Sequence, residues 1–110
     1  MRVLRILFFA LLVCFCFALS VNTQNRQSAA LLILNKGEAT MSIVDPVSLK
    51  VLAKVPTGDG PHEVITSADG KTAYVANYGA QTPGNSLSVI DLATRKETKR
   101  VDLGGLFRPH

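Results

Sequence analysis

The chain has no tryptophan, and both of its cysteines, Cys14 and Cys16, lie within the first twenty residues. If that segment is removed, neither a disulfide scaffold nor a thiolate metal site is available. Four of the five phenylalanines fall in the same segment, leaving Phe107. The two tyrosines, Tyr74 and Tyr78, are too few for a nucleic-acid stacking platform. A surplus of one charge is missing too. Past Ser20, ten Lys/Arg face eight Asp/Glu, scattered apart from Arg95-Lys96 and Lys99-Arg100. That balance gives no basis for expecting nucleic acid as a partner. The basic pairs fit solvated strand and turn edges. No stretch beyond residue 20 has the period of a long amphipathic helix.

The chemistry of common active sites is also missing. There is no His-x-x-x-His pair, no Gly-x-Ser-x-Gly elbow and no carboxylate cluster. Gly58-Asp59-Gly60 is not a phosphate loop, because no Lys-Ser/Thr sits beside it and no helix follows. The sequence therefore assigns no catalytic, cofactor-binding or metal-binding residue.

What is present begins with an address. Arg2 and Arg5 give a basic start, Ile6 to Leu19 is an unbroken apolar run, and Ala18-Leu19-Ser20 supplies small residues. This order describes a secretory signal peptide over residues 1–20, cleaved after Ser20, and a secreted or periplasmic product. The run is shorter than the roughly 18 to 20 apolar residues that span a bilayer. An uncleaved anchor is the competing reading; after cleavage no membrane association is expected.

Residues 21–29 read as a flexible polar lead-in. Short apolar runs then recur about every ten residues with turn residues between, the pattern of an all-β sheet protein. Strands are expected at Ala30–Leu34, Met41–Val44, Val51–Val55, His62–Thr66, Thr72–Asn77, Leu87–Ile90 and Glu97–Leu103. Gly37 is free to take positive φ in the first turn. Asp69-Gly70 makes a tight hairpin. Gly79 to Asn85 reads as a small-residue loop. Tyr74, Val75 and Ala76 suit a buried strand.

The chain also repeats itself. Ser42-Ile43-Val44-Asp45 recurs as Ser88-Val89-Ile90-Asp91, a shift of 46, and Ile33-Leu34-Asn35 recurs as Val75-Ala76-Asn77, a shift of 42. Pro61-His62 recurs as Pro109-His110, a shift of 48. The length differences fall in expected loops, where insertion costs least. A period of 42 to 48 residues with four strands is that of a β-propeller blade. The fold expected is a partial β-propeller of about one and three-quarter four-stranded antiparallel blades. Residues 30–58 form a partial first blade of three strands, 59–104 a complete second blade, and 105–110 the start of a third. The expectation is that the remaining blades belong to a longer protein and that these alone would not fold stably. A β-sandwich is the alternative, although it need not repeat its own sequence.

The unit Pro61-His62-x-Val64-x-x-Ser67-x-Asp69-Gly70-Lys71-x-x-Tyr74-Val75-x-Asn77, followed by Ser88-Val89-Ile90-Asp91, resembles the YVTN-type β-propeller repeat. Ala76 stands where the family has threonine, and the first copy reads Leu32-Ile33-Leu34-Asn35. The resemblance covers residues 30 to 110. It implies kinship with secreted and surface-layer propellers, bordering on lactonase-like propellers and on haem-carrying domains of periplasmic reductases.

His62, Asp69, Gly70, Tyr74, Asn77, Asp91 and His110 are read as structural repeat positions. His62 could serve as a haem or metal ligand or a general base. Its recurrence at His110 favours fixing a strand start by hydrogen bonding, because catalytic groups usually occur once. Asp45 and Asp91 are expected to form turns. Two functions follow. One is a non-catalytic exported module binding a protein or glycan partner, with no cofactor. The other is the N-terminal part of an enzyme, a lactonase-like hydrolase or periplasmic redox protein, whose catalytic residues lie in further blades. Fold alone does not choose between them.

Overall fold

The computed structural model describes residues 29–110. The expected signal peptide, its cleavage site and the lead-in as far as residue 28 lie outside the described residues. Two antiparallel sheets follow one another along the chain. β1 (Leu31–Asn35), β2 (Thr40–Val44) and β3 (Val51–Pro56) form the first, in the order β1-β2-β3. β4 (Pro61–Thr66), β5 (Thr72–Gly79), β6 (Pro83–Asp91) and β7 (Lys96–Asp102) form the second, in the order β4-β5-β6-β7. Each strand pairs with its sequence neighbour, so both sheets are meanders. Helical structure among the described residues is a single 3-10 turn, Lys36–Glu38, and no helix is long and apolar enough to cross a membrane.

Local chemistry sets the turns. One carboxylate oxygen of Asp45 accepts the N–H groups of Val47 and Ser48 at 2.9 and 2.6 Å and the Ser48 hydroxyl at 3.0 Å. Asp91 repeats the device on Thr94, accepting N–H at 2.7 Å and hydroxyl at 3.1 Å. Each turn then passes through one left-handed residue, Leu49 at φ 56° and Arg95 at φ 57°. Asp69 accepts the Ser67 hydroxyl at 2.6 Å and the Lys71 N–H at 3.1 Å, while Gly70 takes φ 66°. These bonds favour ionised carboxylates. They hold Asp45 (chiefly the Ser48 N–H), Asp69 (chiefly the Ser67 hydroxyl) and Asp91 (chiefly the Thr94 N–H) below the usual carboxylate range.

Alternation along the strands gives each sheet two different faces. One face of the first sheet carries Leu32, Leu34, Met41, Ile43, Ala53 and Val55. It packs against Val64, Ala73, Val75 and Ile90 of the second sheet, and together they form the core. β1 lies against β4, and β3 against β7. The other two faces carry apolar side chains that remain partly open. Leu31 and Ile33 are 45% and 46% exposed on the outer side of the first sheet; Ile65 and Tyr74 are 70% and 40% exposed on the far side of the second. Tyr74 is therefore not a core residue. It points away from Val75, and only the Val75 face meets the first sheet.

Two further expectations change. The left-handed residue of the first turn is Ala39, at φ 50°, not Gly37, because the 3-10 turn delays the reversal. The segment from Gly79 to Asn85 is mostly strand. β5 continues to Gly79 and β6 starts at Pro83, with Gly79 paired to Pro83. Gly79 at φ 85° and Gly84, whose missing Cβ leaves room for the Asn77 carbonyl, allow that closeness. Proline and glycine normally weaken a strand, so the sequence understates it.

Candidate functional site

The described residues carry two side-chain constellations, one internal and one at an end of the sheets. The internal one is an amide clamp. Asn77, 1% exposed, donates from its Nδ2 to the hydroxyls of Ser86 at 3.1 Å and Ser88 at 3.0 Å. Asn35 does the same in the first sheet, donating to Thr40 at 3.0 Å and Ser42 at 2.8 Å. Both asparagines sit near the end of a strand and grip the next strand by two hydroxyls on one face. The difference lies in cover. The link from β3 to β4 closes over Asn77: the Gly58 N–H donates to the Ser88 hydroxyl at 3.2 Å, and a Cβ on Gly58 would lie 2.5 Å from the Asn77 side chain. Asn35 lies on the open face of the first sheet and is half-buried. The amide clamp is fully satisfied and shielded, which suits a structural role.

The second constellation surrounds the ring of Tyr78, half-buried near the end of β5. The His62 ring packs 4.9 Å from it, tilted by 53°, and the His110 ring lies 6.2 Å away, tilted by 60°. The Lys36 ammonium sits 4.9 Å from the ring centroid and the Arg108 guanidinium carbon 4.7 Å. Three segments distant in sequence thus deliver side chains to one ring. Lys36 comes from the turn after β1. His62 comes from the start of β4, at a register shift between Pro61 and Glu63. Tyr78 is the next-to-last residue of β5, and Arg108 and His110 follow β7.

Backbone bonds hold this end together. Tyr78 N–H donates to the Gly60 carbonyl at 3.1 Å, Gly79 N–H to the Asp59 carbonyl at 2.9 Å, and Arg108 N–H to the Gly84 carbonyl at 2.7 Å. Gly60 and Arg108, each directly before a Pro-His pair, both take φ 57°. His110 Nδ1 lies 3.0 Å from the Arg108 carbonyl. A carbonyl only accepts, so the imidazole donates there and Nε2 faces outward.

Charges of both signs stand at this end. The ion pairs among the described residues are Lys54–Glu38 at 2.7 Å and Arg100–Glu97 at 2.8 Å, and neither involves Lys36 or Arg108. Three carboxylates here are engaged elsewhere: Glu38 on Lys54, Asp59 on the Ala80 N–H at 3.2 Å, and Asp102 on the Asn85 amide at 3.1 Å. Among the described residues no three His, Cys, Asp or Glu side chains gather as a metal site would need.

The positions singled out in the sequence are thus divided. His62 and His110 converge on one ring, and the contact made by the His62 ring is aromatic rather than the hydrogen bond expected of it. Asn77 lies in the internal clamp. Asp69, Gly70 and Asp91 lie in turns at the opposite end of the strands, and Tyr74 lies on the far face. Lys36, Tyr78 and Arg108 were not singled out as a group. The repeat itself held the clue. Lys36 follows Asn35 as Tyr78 follows Asn77, and Arg108 precedes Pro109-His110 as Gly60 precedes Pro61-His62.

Set against known proteins, the chain matches no family model and no curated protein. It is similar to a solved structure described as Kuenenia stuttgartiensis hydrazine synthase. The TM-score is 0.66 and the identity 28%, over 74% of this chain and 22% of that one. The chain therefore spans about a fifth of the length of that protein.

Proposed function

We propose that the two sheets are consecutive blades of a β-propeller of the YVTN-repeat type, and that the protein is an exported, non-catalytic binding module. The observation that carries this reading is the recurrence of one construction in both sheets. An Asn grips two hydroxyls of the next strand, and an Asp turn ends in a left-handed residue, at shifts of 42 and 46 residues. The open faces support it as well. The face that packs in one sheet is the exposed face of the other, so further blades have apolar surface waiting on both sides. Export rests on Arg2, Arg5 and the run from Ile6 to Leu19, and places the module outside the cytoplasm. Its partner is a protein or glycan met at the end where the Tyr78 cluster stands.

Two measurements on the full secreted protein test this. Imaging by electron microscopy is expected to give a closed ring of blades; a two-layer sandwich would sink the propeller. Assays of lactone hydrolysis are expected to be blank, and turnover abolished by His62→Ala would overturn the non-catalytic reading. The likeness to a hydrazine synthase favours one second reading: that the complete protein is an enzyme whose reactive groups lie in other blades. A haem-attachment Cys-x-x-Cys-His further along the protein would favour that reading.

A further inference from the structure

We infer that the Tyr78 cluster is a binding site for an oxyanion, and that its ligand is the carboxylate of a uronic-acid sugar in an acidic glycan. The inference rests on the reading of the protein as a binding module and names the chemistry of its site.

The argument starts from charge. Lys36 and Arg108 belong to different sheets, yet both lie within 5 Å of the centre of one ring. The aromatic ring attracts each cation and holds both beside Tyr78. Neither cation is neutralised by a carboxylate among the described residues, whereas Lys54 and Arg100 are each paired. An unpaired cation on a surface is ordinary. Two converging from separate sheets, flanked by two imidazoles, form a concentrated set of donors. Arg108 offers a planar fork that matches a carboxylate, and Lys36 a compact charge.

The backbone adds an independent observation. Arg108 takes φ 57°, a conformation that costs little for glycine and more for arginine. The matching position before the earlier Pro-His pair is occupied by Gly60, also at φ 57°. The second site therefore has a side chain where the first has none, and that side chain reaches the Tyr78 ring. Three carboxylates at this end are engaged elsewhere: Asp59 accepts the Ala80 N–H, Glu38 pairs with Lys54, and Asp102 accepts the Asn85 amide and the Gly104 N–H. The exposed Lys36, His62 and His110 leave the cluster open to solvent on the side where a polymer could lie.

The test is calorimetric titration of the full secreted protein with trigalacturonate, a neutral galactose trisaccharide of equal length, and inorganic phosphate. Trigalacturonate is expected to bind and the neutral sugar to fail. Affinity is expected to fall about tenfold or more in Lys36→Gln and in Arg108→Gly, the loss of a charge-assisted contact. Arg108→Gly suits its left-handed backbone, so its urea midpoint is expected to hold or rise while binding is lost. A midpoint that falls while affinity is kept would mean that Arg108 is only a packing residue and would overturn the site. Phosphate binding as tightly as trigalacturonate, with the same dependence on Arg108, would keep the oxyanion site but reject the glycan as its source. Binding of neither anion by folded protein would reject the site and leave the non-catalytic module standing. Cleavage of the trisaccharide would do the reverse, keeping the site and rejecting the module.

Discussion

Replacing Asn77 with alanine removes, from a buried position, the two hydrogen bonds its amide nitrogen donates and a longer one, 3.4 Å, that its oxygen accepts from the Ser88 hydroxyl. The amide donates to Ser86 at 3.1 Å and to Ser88 at 3.0 Å from a residue that is 1% exposed. A net hydrogen bond is worth about 0.5–1.5 kcal/mol, and two give about 2 kcal/mol. Ser88 still accepts the Gly58 N–H, but its own hydroxyl proton loses the Asn77 Oδ1 acceptor. The space left beneath the link adds about 1 kcal/mol more. The expected loss is therefore about 3 kcal/mol. Asn35→Ala removes two bonds, to Thr40 and Ser42, and from a half-buried site that water can reach. Its expected cost is about 1 kcal/mol, since water replaces part of what is lost. Urea unfolding followed by far-UV circular dichroism measures both, provided that the slope with denaturant is unchanged. The two losses should therefore differ by about 2 kcal/mol. Equal losses would show that cover by the β3–β4 link does not set the strength of the clamp. A larger loss at Asn35 would reverse the reasoning.

Three more expectations follow from the same contacts. Gly58→Ala places a Cβ 2.5 Å from the Asn77 side chain and should cost about 1–3 kcal/mol by urea unfolding; in an Asn77→Ala background most of that cost should vanish, and simple additivity would refute the contact. Ile90→Ala empties a fully buried position between the sheets and should cost about 2–5 kcal/mol in the same assay, a loss under 1 kcal/mol counting against the packed core. Asp45 and Asp91 are held below their unfolded values, near 3.8, so they add stability above about pH 4 that is lost as pH falls through their lower folded values. Asp45→Asn with Asp91→Asn keeps an acceptor in each turn but removes the titration, and the fall of the urea midpoint below about pH 4 should become shallower; an unchanged acid limb would place the sensitivity elsewhere.

Much of this architecture could be read from local chemistry. The Asp45 and Asp91 turns depend on a carboxylate, a hydroxyl three residues on and the intervening backbone, all within one short segment. The Asp69-Gly70 hairpin is equally local. Strand positions followed from runs of branched apolar residues, and their ends moved by a residue or two. The start of β6 was hidden because Pro83 and Gly84 are poor strand residues whose placement depends on Gly79 across the pair. Tyr74 was misplaced because period two tells which residues share a face, not which face is covered. The Tyr78 cluster was the least legible. Lys36 and Arg108 are more than seventy residues apart in the chain, and only the stacking of one sheet on the other brings both to the same ring. The likeness of His62 to His110 pointed to the right end of the sheets, but not to the cations beside them.

The two unlike faces of each sheet also govern how copies of this segment would meet. A symmetric dimer joins a surface to itself, whereas a contact between the face bearing Leu31 and Ile33 and the face bearing Ile65 and Tyr74 would join two different surfaces. Such an interface is heterologous. Each copy that adds presents a fresh surface for the next, so growth ends only when curvature brings the last copy round to the first. Polypeptides with too few sheets to close are therefore expected to form open, concentration-dependent filaments instead of discrete pairs.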